Sequence, residues 1–131
     1  MKYLSFFALS FLVMMLAVMR LAEAVQFDIA VLQGLDKVTA RVSTFNVEIG
    51  TTIKYGTLRI TVRRCDKRPP EETPESAAFI DVSEERPGES IIGVYRGWMF
   101  ASSPALAAME HPVYDVWVLD CINDKIDLLV K

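Results

Sequence analysis

The sequence predicts a mostly β domain, a compact small sandwich or barrel with one short helix near residues 104–110, behind an N-terminal signal peptide. Three observations lead there. Apolar residues alternate with period two over several short runs, the pattern of strands with one wet face. Glycines and prolines separate those runs, most clearly at Gly50, Gly56, the Pro69-Pro70 pair and Pro87-Gly88. Before all of them, Leu4 to Met19 is a run of sixteen residues without a charge.

That opening run follows Lys2 and ends at Arg20, with Ala22-Glu23-Ala24 just beyond. A positive start, a short apolar stretch and small residues at the first and third places of the triplet form a secretory signal. Cleavage is expected after Ala24, with Val25 as the mature start. An uncleaved anchor is the alternative, but a spanning helix needs about 20 apolar residues. No cysteine follows the run, so the expected cleavage site carries no lipid anchor.

The domain expected over residues 25–131 holds 12 basic and 16 acidic residues. Such a mildly acidic chain is a poor counterion-displacing ligand for nucleic acid. Its 107 residues suffice for one core, and no membrane span is expected within them. Cys65 and Cys121 are the chain's two cysteines. Export to an oxidising compartment makes their pairing the expectation, with two separate buried thiols as the alternative. There is no CxxC pair and so no basis for a redox role.

Residues 26–33 alternate loosely, and Gly34-Leu35-Asp36-Lys37 reads as a turn. Val38, Ala40 and Val42 then share one parity, while Phe45, Val47 and Ile49 share the other. A period of two cannot change phase without an extra residue, so a bulge is expected near Ser43-Thr44. Leu58, Ile60 and Val62 give the cleanest strand, and Cys65 falls on its polar parity, which places a bridge at the strand's frayed end. Residues 66–76 read as an extended proline-rich loop. Phe79 to Val82 is a short strand, residues 84–90 a turn, and Ile91 to Trp98 a further strand. Pro104 after Ser102-Ser103 opens the expected two-turn helix, which Pro112 stops. Val113 to Cys121 is apolar on both parities, as in a central strand covered on both faces.

No motif specifies a reaction, a cofactor or a metal. His111 is the one histidine. With Ser102 or Ser103 and Asp115 it forms a hydrolase triad on paper only, because no GxSxG elbow is present. A zinc site of His111, Glu110 and Asp115 lacks the usual ligand set. The acidic pairs Glu71-Glu72 and Glu84-Glu85 read as solvated loop residues. The aromatic segments around the helix hold both tryptophans. Trp98, Phe100, His111, Tyr114 and Trp117 are therefore the candidate partner surface, since such residues are enriched at interfaces. Core packing is the alternative role for them. A non-catalytic binding or scaffold module is expected, with a minor hydrolase as the alternative.

Several segments carry a family resemblance. They are Leu35-Asp36-Lys37-Val38-Thr39, Tyr55-Gly56-Thr57-Leu58, Val62-Arg63-Arg64-Cys65 and Lys67-Arg68-Pro69-Pro70-Glu71-Glu72. Gly97-Trp98-Met99-Phe100-Ala101-Ser102-Ser103-Pro104-Ala105-Leu106 and the run from His111 to Cys121 are the most specific of them. Over residues 35–121 the chain resembles domain-of-unknown-function family 2155, a group of small exported bacterial proteins. The resemblance implies export from a Gram-negative-type cell, hence the periplasm of the cell envelope, and a two-cysteine framework. It implies no activity, and any envelope partner stays unnamed.

Overall fold

A computed structural model describes residues 2–16 and 25–123. Helix α1 (Lys2–Leu16) occupies the uncharged run, and none of the described helices is long and apolar enough to cross a membrane. The expected cleavage residue Ala24 lies outside the described residues. Val25 opens the first strand.

Eight strands follow: β1 (Val25–Gln26), β2 (Ile29–Asp36), β3 (Arg41–Glu48), β4 (Thr52–Tyr55), β5 (Leu58–Lys67), β6 (Ser76–Glu84), β7 (Ile92–Phe100) and β8 (Tyr114–Ile122). They form two antiparallel sheets, which decides for the sandwich. In the larger sheet β5 pairs with β4 along its first half and β1 along its second, and β6 and β7 follow on its other side. The smaller sheet has the order β3-β2-β8. Residues 27–28 and 49–51 carry the chain between the sheets, and Phe27, Ile49 and Gly50 keep backbone bonds at these corners. Leu32, Val47, Leu58, Ile60, Val62, Ile80, Val82, Val116 and Val118 form the buried layer between the sheets.

Both cysteines owe their place to a bulge. In β5, Val62 faces Ile80 but Arg64 faces Phe79, leaving Arg63 as the extra residue. The phase of β5 reverses there, so Cys65 turns into the core instead of fraying outward, correcting the expectation from parity. In β8, Val118 faces Leu32 and Asp120 faces Val31, so Leu119 is extra and Cys121 turns inward in the same way. The two cysteines are joined, with Cα atoms 5.7 Å apart and both side chains fully buried. The bridge ties one sheet to the other.

Other expectations shift. Gly34 continues β2, because the Tyr55 ring lies over it: an added Cβ would sit 2.6 Å from Tyr55 Cζ. The reversal comes later, at residues 37–40. There Asp36 Oδ1 accepts the amides of Val38 and Thr39, and Ala40 takes a left-handed φ of 57°. Val38 and Val42 are thus exposed at the turn and on the outer face, so the change of parity is the passage from turn to strand. The β2–β3 register is continuous through Ser43 and Thr44, with no bulge.

Strand β6 is longer at both ends than expected and takes in Glu84. Strand β8 is an edge strand, and β2 is the central one. Its second apolar parity (Trp117, with the bulged Leu119) lies half-covered on the outer face. The expected helix is a single 3₁₀ turn, Pro104–Ala107, with no side-chain cap from Ser103. Leu106 is 80 % exposed, so this segment has no apolar stripe to bury, and a short helix without one is marginal. The chain after it runs extended and buries Met109 and His111 instead.

Candidate functional site

One end of the sandwich holds a buried polar cluster built on Glu84 and His111, 7 % and 8 % exposed. Glu84 is the last inward residue of β6, and His111 belongs to the β7–β8 connection. His111 Nδ1 accepts the backbone amides of Val113 and Tyr114, both at 3.1 Å. An acceptor at Nδ1 leaves the proton on Nε2, which donates to Glu84 Oε2 at 2.5 Å. The same carboxylate accepts the Thr57 hydroxyl at 2.8 Å and, at Oε1, pairs with Arg86 at 3.0 Å. Burial pushes the Glu84 carboxyl up, but the hydrogen bonds from Thr57 and His111 and the attraction of His111 and Arg86 outweigh it. Its net shift is downward, and it stays ionised.

An aromatic row extends this cluster. His111 packs on Tyr114 (5.5 Å), Tyr114 on Tyr55 (5.4 Å) and Tyr55 on Phe45 (5.4 Å). Gly56, with φ at 58°, is required beneath Tyr114, whose ring and hydroxyl occupy the space a Cβ would take. Lys37 Nζ donates to the His111 carbonyl at 2.7 Å, and Lys37 N to that of Val113 at 2.8 Å. Glu84, called a solvated loop acid from sequence, is therefore the anchor of the whole end. A run of Ser-Glu-Glu-Arg gives no sign of that, since only the register of β6 turns its side chain inward.

Both ring nitrogens of His111 are engaged by the fold, and the triad partners lie elsewhere. Ser102 bonds through its hydroxyl and its amide to Glu75, at the opposite end of β6. Nine residues of extended chain separate Glu75 from Glu84, roughly 30 Å. Ser103 is next to Ser102 in that distant corner, and Asp115 faces outward on β8 opposite Leu35. Among the described residues no group of three or more His, Cys, Asp and Glu is placed to hold a metal.

The candidate partner residues divide into three places. His111 and Tyr114 belong to the buried end. Trp117 lies half-buried on the outer face of the smaller sheet, opposite Gln33, which bonds Thr44. Trp98 and Phe100 lie on the outer face of the larger sheet, 38 % and 37 % exposed. Phe79 meets Trp98 edge-on at 5.6 Å. The two tryptophans thus face opposite ways, away from the core on different sheets, and do not share a surface. Arg64 flanks Phe79 on β5, and Arg96 lies two residues before Trp98 on β7.

A family model described as "Uncharacterized protein conserved in bacteria (DUF2155)" matches residues 30–121. The chain belongs to this family. The match with family 2155 runs from the start of β2 to Cys121 and so takes in both bulges, the disulfide, Glu84 and His111. The chain is also similar to the Uncharacterized protein RP359 of Rickettsia prowazekii (strain Madrid E), at 26% identity over 87 residues. That alignment covers 66% of this chain and 56% of the relative, so the chain spans little more than half of the relative's length. No solved structure matches the chain.

Proposed function

We propose that this member of family 2155 is an exported, non-catalytic binding module of the bacterial envelope, working in the periplasm through the outer face of its larger sheet. The observation that carries the proposal is the exposure of Trp98 and Phe100 among arginines. Trp and Arg are the side chains that most often dominate binding energy at interfaces. Supporting it, the one imidazole of the chain serves to hold the β7–β8 connection, and Ser102, with Ser103 beside it, bonds the Glu75 carboxylate far from that imidazole. The N-terminal run and the bridged cysteines favour an oxidising destination.

Two measurements test the reading. Mass spectrometry of the protein from fractionated cells is expected to find a chain starting at Val25, oxidised, in the periplasm. A full-length reduced chain in the cytosol would overturn the exported half. In cells lacking the native copy, a Trp98→Ser/Phe100→Ser variant that keeps its circular dichroism and its disulfide is expected to fail to complement the loss. Full complementation by that variant would refute the assigned surface.

A further inference from the structure

The outer face of the larger sheet has a charge unlike that of the rest of the molecule. The register sets Lys54 beside Arg59, and Asp81 beside Arg96, while Arg63 and Arg64 flank the β5 bulge next to Phe79. Five of the chain's 14 Lys and Arg side chains therefore share this face. Its acids are Asp66 and Asp81, with Glu85 at the rim. The face is thus positive in a chain whose net charge is −3, which leaves the remaining surface strongly acidic.

Three of the five make ion pairs: Arg63 with Asp81 at 3.6 Å, Arg64 with Asp66 at 2.8 Å and Arg59 with Glu85 at 3.5 Å. All three arginines are well exposed, and such surface pairs contribute little, so a competing anion displaces them readily. Lys54 and Arg96 have no ion pair among the described residues. Trp98 shares a row with Phe79 and Arg64, and Phe100 lies one row further along β7.

We propose that this face docks on an anionic phospholipid bilayer, with headgroup phosphates meeting the basic side chains and Trp98 and Phe100 entering the interfacial layer. The proposal deepens the binding-module reading and rests on its export. Charge complementarity selects an anionic partner, and the distribution of the charges selects a bilayer. The cations are spread over three strands, β4, β5 and β7, not convergent on a pocket, and laterally mobile lipids can arrange themselves to match such a spread. Aromatic rings at the headgroup level are favoured, and each Lys or Arg near an anionic surface adds to the attraction. The acidic remainder turns the same face toward the membrane at every encounter.

The test is sedimentation of the protein, as recovered from the producing cell, with phosphatidylethanolamine vesicles containing phosphatidylglycerol, set against phosphatidylcholine vesicles. Binding is expected only to the former and to be lost in high salt. Each basic residue is worth roughly five-fold in partitioning, so Arg63→Gln/Arg64→Gln/Arg96→Gln should weaken it on the order of 100-fold. Trp98→Ser should also weaken it at unchanged charge. Equal binding to both vesicle types, or a triple variant that sediments like the wild type, overturns the proposal. If no vesicle binds while Trp98→Ser/Phe100→Ser still fails to complement, the lipid proposal falls and the binding-module reading survives, with an acidic protein as the partner.

Discussion

Replacing His111 by alanine removes the acceptor for two backbone amides and the donor that faces Glu84. Two partly buried N–H groups left without partners cost about 1 kcal/mol each at the low end of the measured range. Loss of the ring that packs on Tyr114 adds about 1 kcal/mol of packing and aromatic contact. The Glu84 carboxylate also loses one of its hydrogen-bond donors, which acts in the same direction. A total near 3 kcal/mol corresponds to a fall in Tm of about 12–24 °C for a domain of this size. Thermal unfolding at pH 7, followed by circular dichroism, measures it directly. His111→Asn sharpens the test, because an asparagine oxygen two and three residues before the amides can accept both, as Asp36 does for Val38 and Thr39. It does not reach Glu84. Asparagine should therefore recover the larger part of the loss, whereas glutamine should not. An alanine variant within about 3 °C of the wild type would refute the reasoning, as would asparagine and alanine variants of equal stability.

Because hydrogen bonding holds the Glu84 carboxyl below its ordinary value, its contribution is complete above the usual glutamate range, about pH 4.3, and is lost as the pH falls through the lower native value. Acid titration of unfolding stability should show this limb, flattened in Glu84→Gln. Gly56→Ala meets both a left-handed φ and the Tyr114 ring, and should destabilise by roughly 2 kcal/mol or more, read in a urea melt. Ala40→Gly should do the opposite, gaining about 0.5–1 kcal/mol because Ala40 pays for a left-handed turn conformation. Opening the disulfide by Cys65→Ser/Cys121→Ser should cost about 4 kcal/mol in the loop-entropy picture, with unfolding in denaturant as the measure.

The strands were legible in the sequence wherever one face is dry and the other wet. Leu58, Ile60 and Val62 announce β5 because alternate burial over a few residues needs no knowledge of the neighbours. What was not legible depends on pairing. Arg63 and Leu119 look like ordinary strand residues, yet each is the extra residue that reverses phase and turns a cysteine inward. A parity flip at Ser43 looked like a bulge and was none, because Val38 lies on a turn created by the Asp36 side chain. Glu84 and His111 were hidden for a similar reason. They are 27 residues apart, and only the register of β6 and the path of the β7–β8 connection bring them together. The division of Trp98 from Trp117 also waited on topology, since nearness in sequence says nothing about which sheet a strand joins.

The two bulges bear on the outer faces as well as on the core. A strand that keeps one phase throughout buries every second residue along its length. Reversing the phase at Arg63 leaves Arg63 and Arg64 exposed in succession while Cys65 goes in. The device that places the bridge is thus the same one that sets two adjacent guanidinium groups beside Phe79 and Trp98. Deleting Arg63 removes the extra residue and leaves a regular ladder in which Arg64 still faces Phe79 and Cys65 still faces Ala78, so the bridge is kept while the arginine pair is reduced to one. Such a variant should still form the Cys65–Cys121 bridge, shown by mass spectrometry without reduction, and a folded variant left with two free thiols would contradict the assignment of Arg63 as the extra residue.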